Sequence, residues 1–305
     1  MERRTFLKLG AATACFLSSG CTESLQKGTA TVKKAKTFKI SLAQWSLNKR
    51  LFGNAGEKLD NLDFAETAAK LGFDAIEYVN TFFKDKAFDV RYIAKMKKRA
   101  GDHGVKSLLI MCDGEGRLGD PDTAKRTQAV KNHFKWITVA RFLGCHSIRV
   151  NAASEGSYNE QLKLAADGLS RLSEQAAKSG INVIVENHWG LSSDGKWLSS
   201  VMKKVNLPNC GTLPDFGNFP KETDRYEAVD MLMPYARAVS AKSYDFNENG
   251  DETTIDYYRM MDIVLNHGYD GYIGVEYEGK RLSEEEGILA TKKLLEKIRA
   301  GLKKA

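Results

Sequence analysis

The amino-acid sequence predicts a single closed (β/α)8 barrel over residues 37–305, and three observations lead to this fold class. Short segments rich in β-branched and aromatic residues alternate with longer segments whose apolar residues recur at helical spacing. Eight short segments occur in about 270 residues, which is the strand number and the length typical of such a barrel. No GxGxxG sequence follows the first of them, which disfavours the alternative of a doubly wound open sheet.

The eight predicted strands follow one another along the chain, and helical segments separate them. The helical segments include LDFAETAAKLG, AVKNHFKWITVARFLG, LKLAADGLSRLSEQAAKSG and DYYRMMDIVLNHGYDG. Several of them end in a glycine that leads directly into a strand, as in FLGCHSIRV and KSGINVIVE, which is the turn that repeating units of this kind need. The predicted strands cover residues 38–45, 74–79, 105–112, 146–151, 182–188, 210–216, 237–245 and 271–278.

The first 36 residues are predicted to lie outside the barrel. Arg3 and Arg4, followed by a short, weakly apolar run of small residues, are typical of a twin-arginine export signal over residues 1–20. Cys21 ends an LSSGC sequence that resembles a lipoprotein cleavage box, which predicts attachment to a membrane through lipid alone. Residues 21–36 are polar and lysine-rich and are predicted to be a linker. The alternative is a disordered basic tail that contains a chance cysteine.

The positive charge of the chain is concentrated in that N-terminal segment. The formal net charge is +7, and residues 1–36 contribute seven basic and two acidic residues to it. The predicted barrel is therefore close to neutral. The sequence pI of about 9.0 is for this reason a poor indicator of nucleic-acid binding, and we predict no nucleic-acid partner.

Acidic residues occur at the carboxyl ends of several predicted strands, where the active site of a (β/α)8 barrel lies. Glu186 ends an apolar run in the fifth strand, Asp215 ends the sixth and Glu276 lies late in the eighth. A single acid at such a position usually caps a helix or pairs with a surface lysine. Three at one barrel mouth repel one another and take up protons unless a cation lies among them, and oxygen ligands suit Mg²⁺, Mn²⁺ or a similar ion. The pattern therefore favours a divalent metal site.

Four segments of the chain resemble the xylose isomerase-like TIM barrels, a family often described as sugar phosphate isomerases and epimerases. They are VIVENH, LPDFGNF, AVSAKSYDF and YIGVEYEG, and the resemblance extends over residues 38–300. It implies a metal held by Glu, Asp, His and Glu on strands five to eight, which Glu186, Asp215 and Glu276 match, with Zn²⁺ as an alternative ion. The fourth ligand departs from the family, because Ser240 stands where a histidine is usual. Three outcomes follow from this departure: water fills the position, His188 leans into it, or the site binds metal weakly.

The resemblance implies an enzyme that isomerises or epimerises a sugar by removing a proton next to its carbonyl, through an enediolate. Glu186 and Glu276 are then expected to take and return the proton on opposite faces of the sugar. Lys242 either donates to a developing oxyanion, acts as a base or forms an ordinary salt bridge. His188 either shuttles a proton and binds hydroxyls or is a structural histidine.

Further residues near strand ends are candidates for substrate binding. We expect polar side chains to hold sugar hydroxyls and two tryptophans to stack on a sugar ring, although core packing is the more common role of a tryptophan. The candidates are Glu77, Arg149, Asn151, Asn218, Trp45 and Trp189, with Gln44 and Asp113 as weaker suggestions.

Three alternative functions remain open at this stage. An export signal favours free or oxidised sugars over phosphorylated ones as substrates. A lyase or hydratase acting on 3-keto-glycosides is therefore supported almost as well as an isomerase. A non-catalytic sugar-binding barrel is a second alternative, because the histidine ligand is lost. A DNA-repair nuclease of the same barrel class is disfavoured, since among the five histidines only His188 is expected at the barrel mouth.

Overall fold

The structure is a computed structural model that describes residues 37–302. It contains all eight predicted strands, each slightly shorter than the sequence pattern indicates, and the predicted fold class is confirmed. The predicted export signal, Cys21 and the linker lie outside the described residues. The strands are β1 (Lys39–Ala43), β2 (Ala75–Val79), β3 (Lys106–Met111), β4 (Ser147–Val150), β5 (Asn182–Glu186), β6 (Cys210–Leu213), β7 (Val239–Ser243) and β8 (Tyr272–Tyr277).

The strands form one parallel sheet that closes into a barrel. Each strand from β1 to β5 pairs with the next, and β8 pairs with both β1 and β7. Between β6 and β7 the sheet closes at two isolated parallel bridges, one joining Thr212 to Ala236 and the other joining Asp215 to Ser240. The second bridge brings a serine of β7 directly beside an acid that follows β6.

Within residues 37–302, ten α-helices surround the sheet or follow its strands. Aspartate side chains begin several of them by accepting a hydrogen bond from a backbone amide of the first turn, as Asp194 does from Lys196 and Trp197. Ser157 and Glu160 form a reciprocal capping box at the longest helix. The helices are α1 (Asn48–Phe52), α2 (Phe64–Lys70), α3 (Val90–Asp102), α4 (Thr123–Asn132), α5 (Phe134–Leu143), α6 (Tyr158–Ala177), α7 (Gly195–Val205), α8 (Arg225–Leu232), α9 (Tyr257–Asn266) and α10 (Glu284–Leu302).

One predicted helix is divided in the structure. AVKNHFKWITVARFLG reads as a single helical segment, but α4 and α5 meet at His133. The ring Nδ1 of His133 lies 2.7 Å from the carbonyl oxygen of Ala129, the group that a regular helix offers to the backbone amide of residue 133. That amide donates instead to Val130, three residues back, which breaks the helix at this point.

Two apolar clusters hold the barrel together. The larger lies between the sheet and the helices, and Ile110 and Val185 belong to it. The smaller contains Leu109, Met111 and Ile184, which alternate along β3 and β5 with residues of the larger cluster, so it lies inside the barrel. The side chains that continue this inner face toward the carboxyl ends of the strands form the site described below. No helix within residues 37–302 is both long enough and apolar enough to cross a membrane.

Candidate active site

Three buried carboxylates converge at the carboxyl ends of β5, β6 and β8. They belong to Glu186, Asp215 and Glu276, called the acidic triad below, and one oxygen of each lies within 4.8 Å of the others. The convergence follows from topology, because the parallel strands end at one rim and the three side chains point inward. In the described part of the chain, this is the one cluster of three or more such side chains close enough to share an ion.

Two buried cations lie against the acidic triad. Nε of Arg149, on β4, is 2.8 Å from Oε2 of Glu186, although the N–H is not aligned for a hydrogen bond. Nζ of Lys242 is 3.1 Å from Oε1 of Glu276 and 3.9 Å from Oδ2 of Asp215. Lys242 and Glu276 are direct partners in the ladder between β7 and β8, so the sheet register places them side by side. Three acids therefore face two fixed positive charges.

Ser240 occupies the position between two acids of the triad. Its Oγ is 2.6 Å from Oδ2 of Asp215 and 3.2 Å from Oε2 of Glu276. A hydroxyl carries one hydrogen, so it donates to one of these oxygens at a time. His188 does not lean into this position: its Nδ1 lies 3.3 Å from Oδ1 of Asn151, and its ring stacks on Trp189.

The loop after β6 fixes the orientation of the triad. Oδ1 of Asp215 accepts hydrogen bonds from the backbone amides of Gly217 and Asn218. The side chain of Asn218 donates to Oε1 of Glu186 at 2.9 Å and accepts from Nζ of Lys242 at 3.0 Å. Gly217 is required here, because a Cβ would lie 2.9 Å from the side chain of Lys242.

Burial and mutual repulsion raise the pKa of two acids of the triad, Glu186 and Asp215. Burial raises the pKa of Glu186 to about 8 against the effect of Arg149, and the neighbouring carboxylates add to the rise. Burial likewise raises the pKa of Asp215 to about 6, although Lys242 opposes the shift. Burial opposes the charge on Lys242, but Asp215 and Glu276 outweigh it and hold the lysine pKa well above its ordinary value. Lys242 is therefore an ammonium donor rather than a base.

A cavity of about 380 Å³ opens above these residues. Of the predicted site residues, His188, Asn218, Lys242 and Glu276 line it directly, and Arg149 and both predicted tryptophans do so as well. Asn151 lies at its edge, where its amide donates to Asp113 at 2.8 Å. The full lining is Trp45, Val79, Thr81, Met111, Asp113, Arg149, His188, Trp189, Asn218, Lys242, Glu276 and Glu278.

Glu186 and Asp215 are buried beneath the lining of the cavity, and two further predicted candidates lie away from it. Glu77 is buried inside the barrel, where Oε1 accepts a hydrogen bond from Ser41 and the absence of a side chain at Gly274 leaves room for its carboxyl group. Burial raises the pKa of Glu77 to about 7. Gln44 bonds to Asn61 and to the backbone amide of Val79, which is a structural arrangement. The geometry gives neither residue a contact with the cavity.

One charged residue of the cavity was not predicted from the sequence, and another was only weakly suggested by it. Glu278 was not among the candidates, yet its Oε1 accepts a hydrogen bond from Trp45 at 2.6 Å and lies 3.5 Å from Nζ of Lys242. Its position two residues after Glu276 was the available signal. Asp113 bonds to both Arg149 and Asn151, and although burial opposes its charge, Arg149 and Asn151 hold its pKa below the usual value.

Comparisons with known proteins agree with this architecture. A family model described as xylose isomerase-like TIM barrel matches residues 65–299. A segment of 77 residues is 35% identical to the alpha subunit of a C-glycoside deglycosidase from Arthrobacter globiformis, a match that spans 24% of this chain and 22% of that protein.

Solved structures with the same fold share little sequence with the chain. The 3-keto-D-glucoside 4-epimerase of E. coli superposes with a TM-score of 0.69 at 16% identity, over 86% of this chain and all of that one. A magnesium complex of a xylose isomerase-like TIM barrel protein from Mycobacterium smegmatis gives a TM-score of 0.65 at 17% identity, over 88% of this chain and 99% of that one. Proteins of similar structure or sequence thus include sugar epimerases, a probable dehydratase and a deglycosidase.

Proposed function

Because the chain belongs to the xylose isomerase-like TIM barrel family, we propose that it is an enzyme that isomerises or epimerises a keto-sugar by moving the proton next to the carbonyl. The observation that carries the proposal is the acidic triad, three inward carboxylates from different strands beneath a cavity that two cations also reach. Fold similarity alone is a weaker argument, since one barrel supports many reactions.

Glu276 is the residue best placed to remove the proton. It lines the cavity, and its two oxygens contact Lys242 and Ser240, which orient the carboxylate. Glu186 lies deeper, and its raised pKa suits a carboxyl group that gives a proton back. Lys242 donates to the oxygen on which negative charge develops, because it remains an ammonium in contact with the reacting end of the cavity.

The sugar hydroxyls meet a polar floor. Arg149 and Asp113 form an ion pair at 2.8 Å that lines the cavity, and Asn218 presents its side chain beside them. Burial and the nearby cations lower the pKa of His188 to about 4, so its imidazole is neutral and serves as a hydrogen-bonding group for a hydroxyl.

The acidic triad fits a divalent metal ion. Three carboxylate oxygens converge within 4.8 Å, and Oε2 of Glu186 accepts no aligned hydrogen bond although it lies 2.8 Å from Nε of Arg149. Glu186, Asp215 and Glu276 would hold the ion, with the hydroxyl of Ser240 beside two of them. A bound Mn²⁺, Mg²⁺ or Zn²⁺ would stabilise negative charge on the enediolate oxygens.

A lyase or hydratase acting on 3-keto-glycosides is the second candidate. It begins with the same proton abstraction and differs in expelling the group at C1 or adding water. The names of two similar proteins, a 3-keto-D-glucoside epimerase and a C-glycoside deglycosidase, favour it.

Incubation with ketohexoses and with 3-keto-glucosides, followed by NMR of the products, tests these proposals. Isomerised or epimerised sugar supports the first, and release of the C1 group supports the second. Sugar binding without turnover of either class would contradict both and indicate a receptor.

We also propose that the chain is exported and attached to a membrane by lipid on Cys21. The N-terminal sequence supports this. Cell fractionation with Cys21→Ser tests it: release of the variant from membranes is expected, and equal membrane association of both forms would contradict it.

A further inference from the structure

Aromatic side chains flank the cavity above its polar floor. Trp189, three residues beyond β5, lines the cavity while 74% of it is exposed to solvent. Its ring stacks on His188 with centroids 3.9 Å apart and planes inclined by 26°. An indole held against the mouth of a cavity yet left open to water offers a flat apolar surface to a ligand.

A second aromatic group lies on the β1 side of the same cavity. The ring of Trp45 contacts Phe52 and Phe82 with centroid distances of 6.2 and 6.0 Å, and Phe52 is 46% exposed. The hydrogen bond from Nε1 of Trp45 to Glu278 ties this ring to the polar floor. The orientation of Trp45 is therefore fixed before a ligand arrives.

The two tryptophans, called the aromatic rim below, line the same cavity as the reacting groups. Trp189 lies on the solvent side of those groups, and Trp45 is half-buried in the cavity wall. Glu276 and Lys242 line the same cavity but are 3% and 1% exposed, whereas Trp189 is largely exposed. A sugar whose carbonyl reaches Glu276 therefore meets the polar floor, and whatever is attached to that sugar meets the aromatic rim.

We propose that the aromatic rim binds a second ring joined to the reacting sugar, so that the substrate is a glycoside and not a free monosaccharide. The second ring is an aromatic aglycone or another sugar, both of which present a flat apolar face. This inference rests on the proposed function, because it takes the acidic triad as the reacting end of the cavity.

Calorimetric affinities for three probes test the inference. Phenyl β-D-glucoside, methyl β-D-cellobioside and methyl β-D-glucoside each contain a β-D-glucosyl ring, and every anomeric carbon in them is locked as an acetal. None therefore has the carbonyl needed for proton abstraction, and none is turned over. We expect phenyl glucoside, methyl cellobioside or both to bind about 3- to 10-fold more tightly than methyl glucoside. The probe that binds more tightly than methyl glucoside shows whether the second ring is an aromatic aglycone or another sugar.

Variants of the rim provide the controls. Trp189→Ala should remove the preference, and its exposed side chain contributes little to folding. Phe88→Ala removes an aromatic residue that is 82% exposed and does not line the cavity, and should leave the preference intact. Trp45→Phe keeps the ring while losing the bond to Glu278, and should reduce the preference without abolishing it.

Equal affinity for all three probes, no binding of any of them, or a preference that survives Trp189→Ala would overturn the inference. Turnover of the 3-keto forms is measured separately. Turnover without a preference would remove the rim proposal alone, whereas a preference without turnover of any keto-sugar would remove the proposed reaction and leave the rim.

Discussion

Two buried carboxylate sites of the barrel are built from similar residues and differ in protonation. Glu115, between β3 and α4, accepts hydrogen bonds from Nζ of Lys135 at 2.7 Å and from Nε1 of Trp136 at 2.9 Å. Burial opposes its charge, but these two donors outweigh burial and hold its pKa below the usual value. Glu186 also touches a cation, but it is buried more deeply than Glu115, and this burial together with two neighbouring acids raises its pKa to about 8.

The difference teaches what separates a structural acid from a reactive one. Glu115 is a single charge matched by its donors, so it has nothing left to exchange. When all three carboxyl groups of the acidic triad are ionised, they carry one more negative charge than Arg149 and Lys242 neutralise, so the triad retains affinity for a proton or a cation. We regard this excess charge as the basis of the proposed chemistry.

The largest expected effect is on turnover. Glu186→Gln keeps the size of the side chain and the neutral form that a pKa of about 8 favours at pH 7, but it removes proton exchange, so we expect turnover of the keto-sugar to fall about 10³-fold with no loss of thermal stability. Kinetics and thermal denaturation of the same preparation check both parts. A variant that unfolds at lower temperature and retains its activity would make Glu186 a structural acid like Glu115.

The matched substitution at the other site should give the opposite result. Glu115→Gln breaks a buried ion pair with Lys135, so we expect the free energy of unfolding to fall by about 3 kcal/mol with turnover retained. The pKa of Glu115 is lower in the folded protein than in the unfolded chain. The ionised carboxylate therefore stabilises the fold fully above the unfolded-state pKa, and this stabilisation is lost as the pH falls through the folded-state pKa. Denaturant titrations should therefore show a smaller difference in the free energy of unfolding between the natural chain and Glu115→Gln at pH 3 than at pH 7. An equal difference at both pH values would contradict this account.

Glu77 is a third buried carboxyl group for this comparison. Burial raises its pKa, as it does for Glu186, although Glu77 is not part of the acidic triad. The pKa of Glu77 in the folded protein, about 7, is higher than the ordinary 4.5, so the folded protein binds this proton more tightly than the unfolded chain does. The resulting stabilisation of the fold is fully present below the unfolded-state pKa and is lost as the pH rises through 7. Glu77→Gln has no proton to lose at this position. The free energy of unfolding of the variant should therefore rise by about 2 kcal/mol relative to that of the natural chain between pH 5 and pH 8. Parallel pH profiles of the two proteins that fail to diverge would contradict the raised pKa.

The smallest predicted effect concerns metal affinity. Lys242 lies within 4 Å of two acids of the triad, so its charge opposes the entry of a second cation. Lys242→Met should tighten Mn²⁺ binding at least ~10-fold, as measured by electron paramagnetic resonance of the free ion. Lys84→Met removes the same charge beside Glu115 and should leave Mn²⁺ affinity unchanged. Equal affinity in all three proteins would show that Lys242 does not oppose the metal.

Much of this arrangement could be predicted from sequence, because it depends on local periodicity. Alternation along a strand places every second side chain inside the barrel, and parallel strands end at one rim, so Glu186, Asp215 and Glu276 could be assigned to one site. The eight strands were predictable for the same reason.

The rest depends on side-chain reach and on contacts between distant segments. Glu77 and Glu276 both lie on inward-facing positions, but only the three-dimensional layers of the barrel show that Glu77 lies beneath the cavity and bonds to Ser41. The position of Lys242 depends on its direct pairing with Glu276 across β7 and β8. The division of α4 from α5 depends on a single contact of the His133 ring with a backbone carbonyl.

Deuterium exchange at carbon tests the central claim most directly. A keto-sugar substrate is incubated with the protein in D₂O, and NMR follows the hydrogen on the carbon beside the carbonyl. If a carboxylate of the acidic triad removes that proton, deuterium appears at this carbon in the product and Glu276→Gln abolishes its appearance. Product that retains all of its carbon-bound hydrogen, or exchange that continues at the natural rate in Glu276→Gln, would contradict the account.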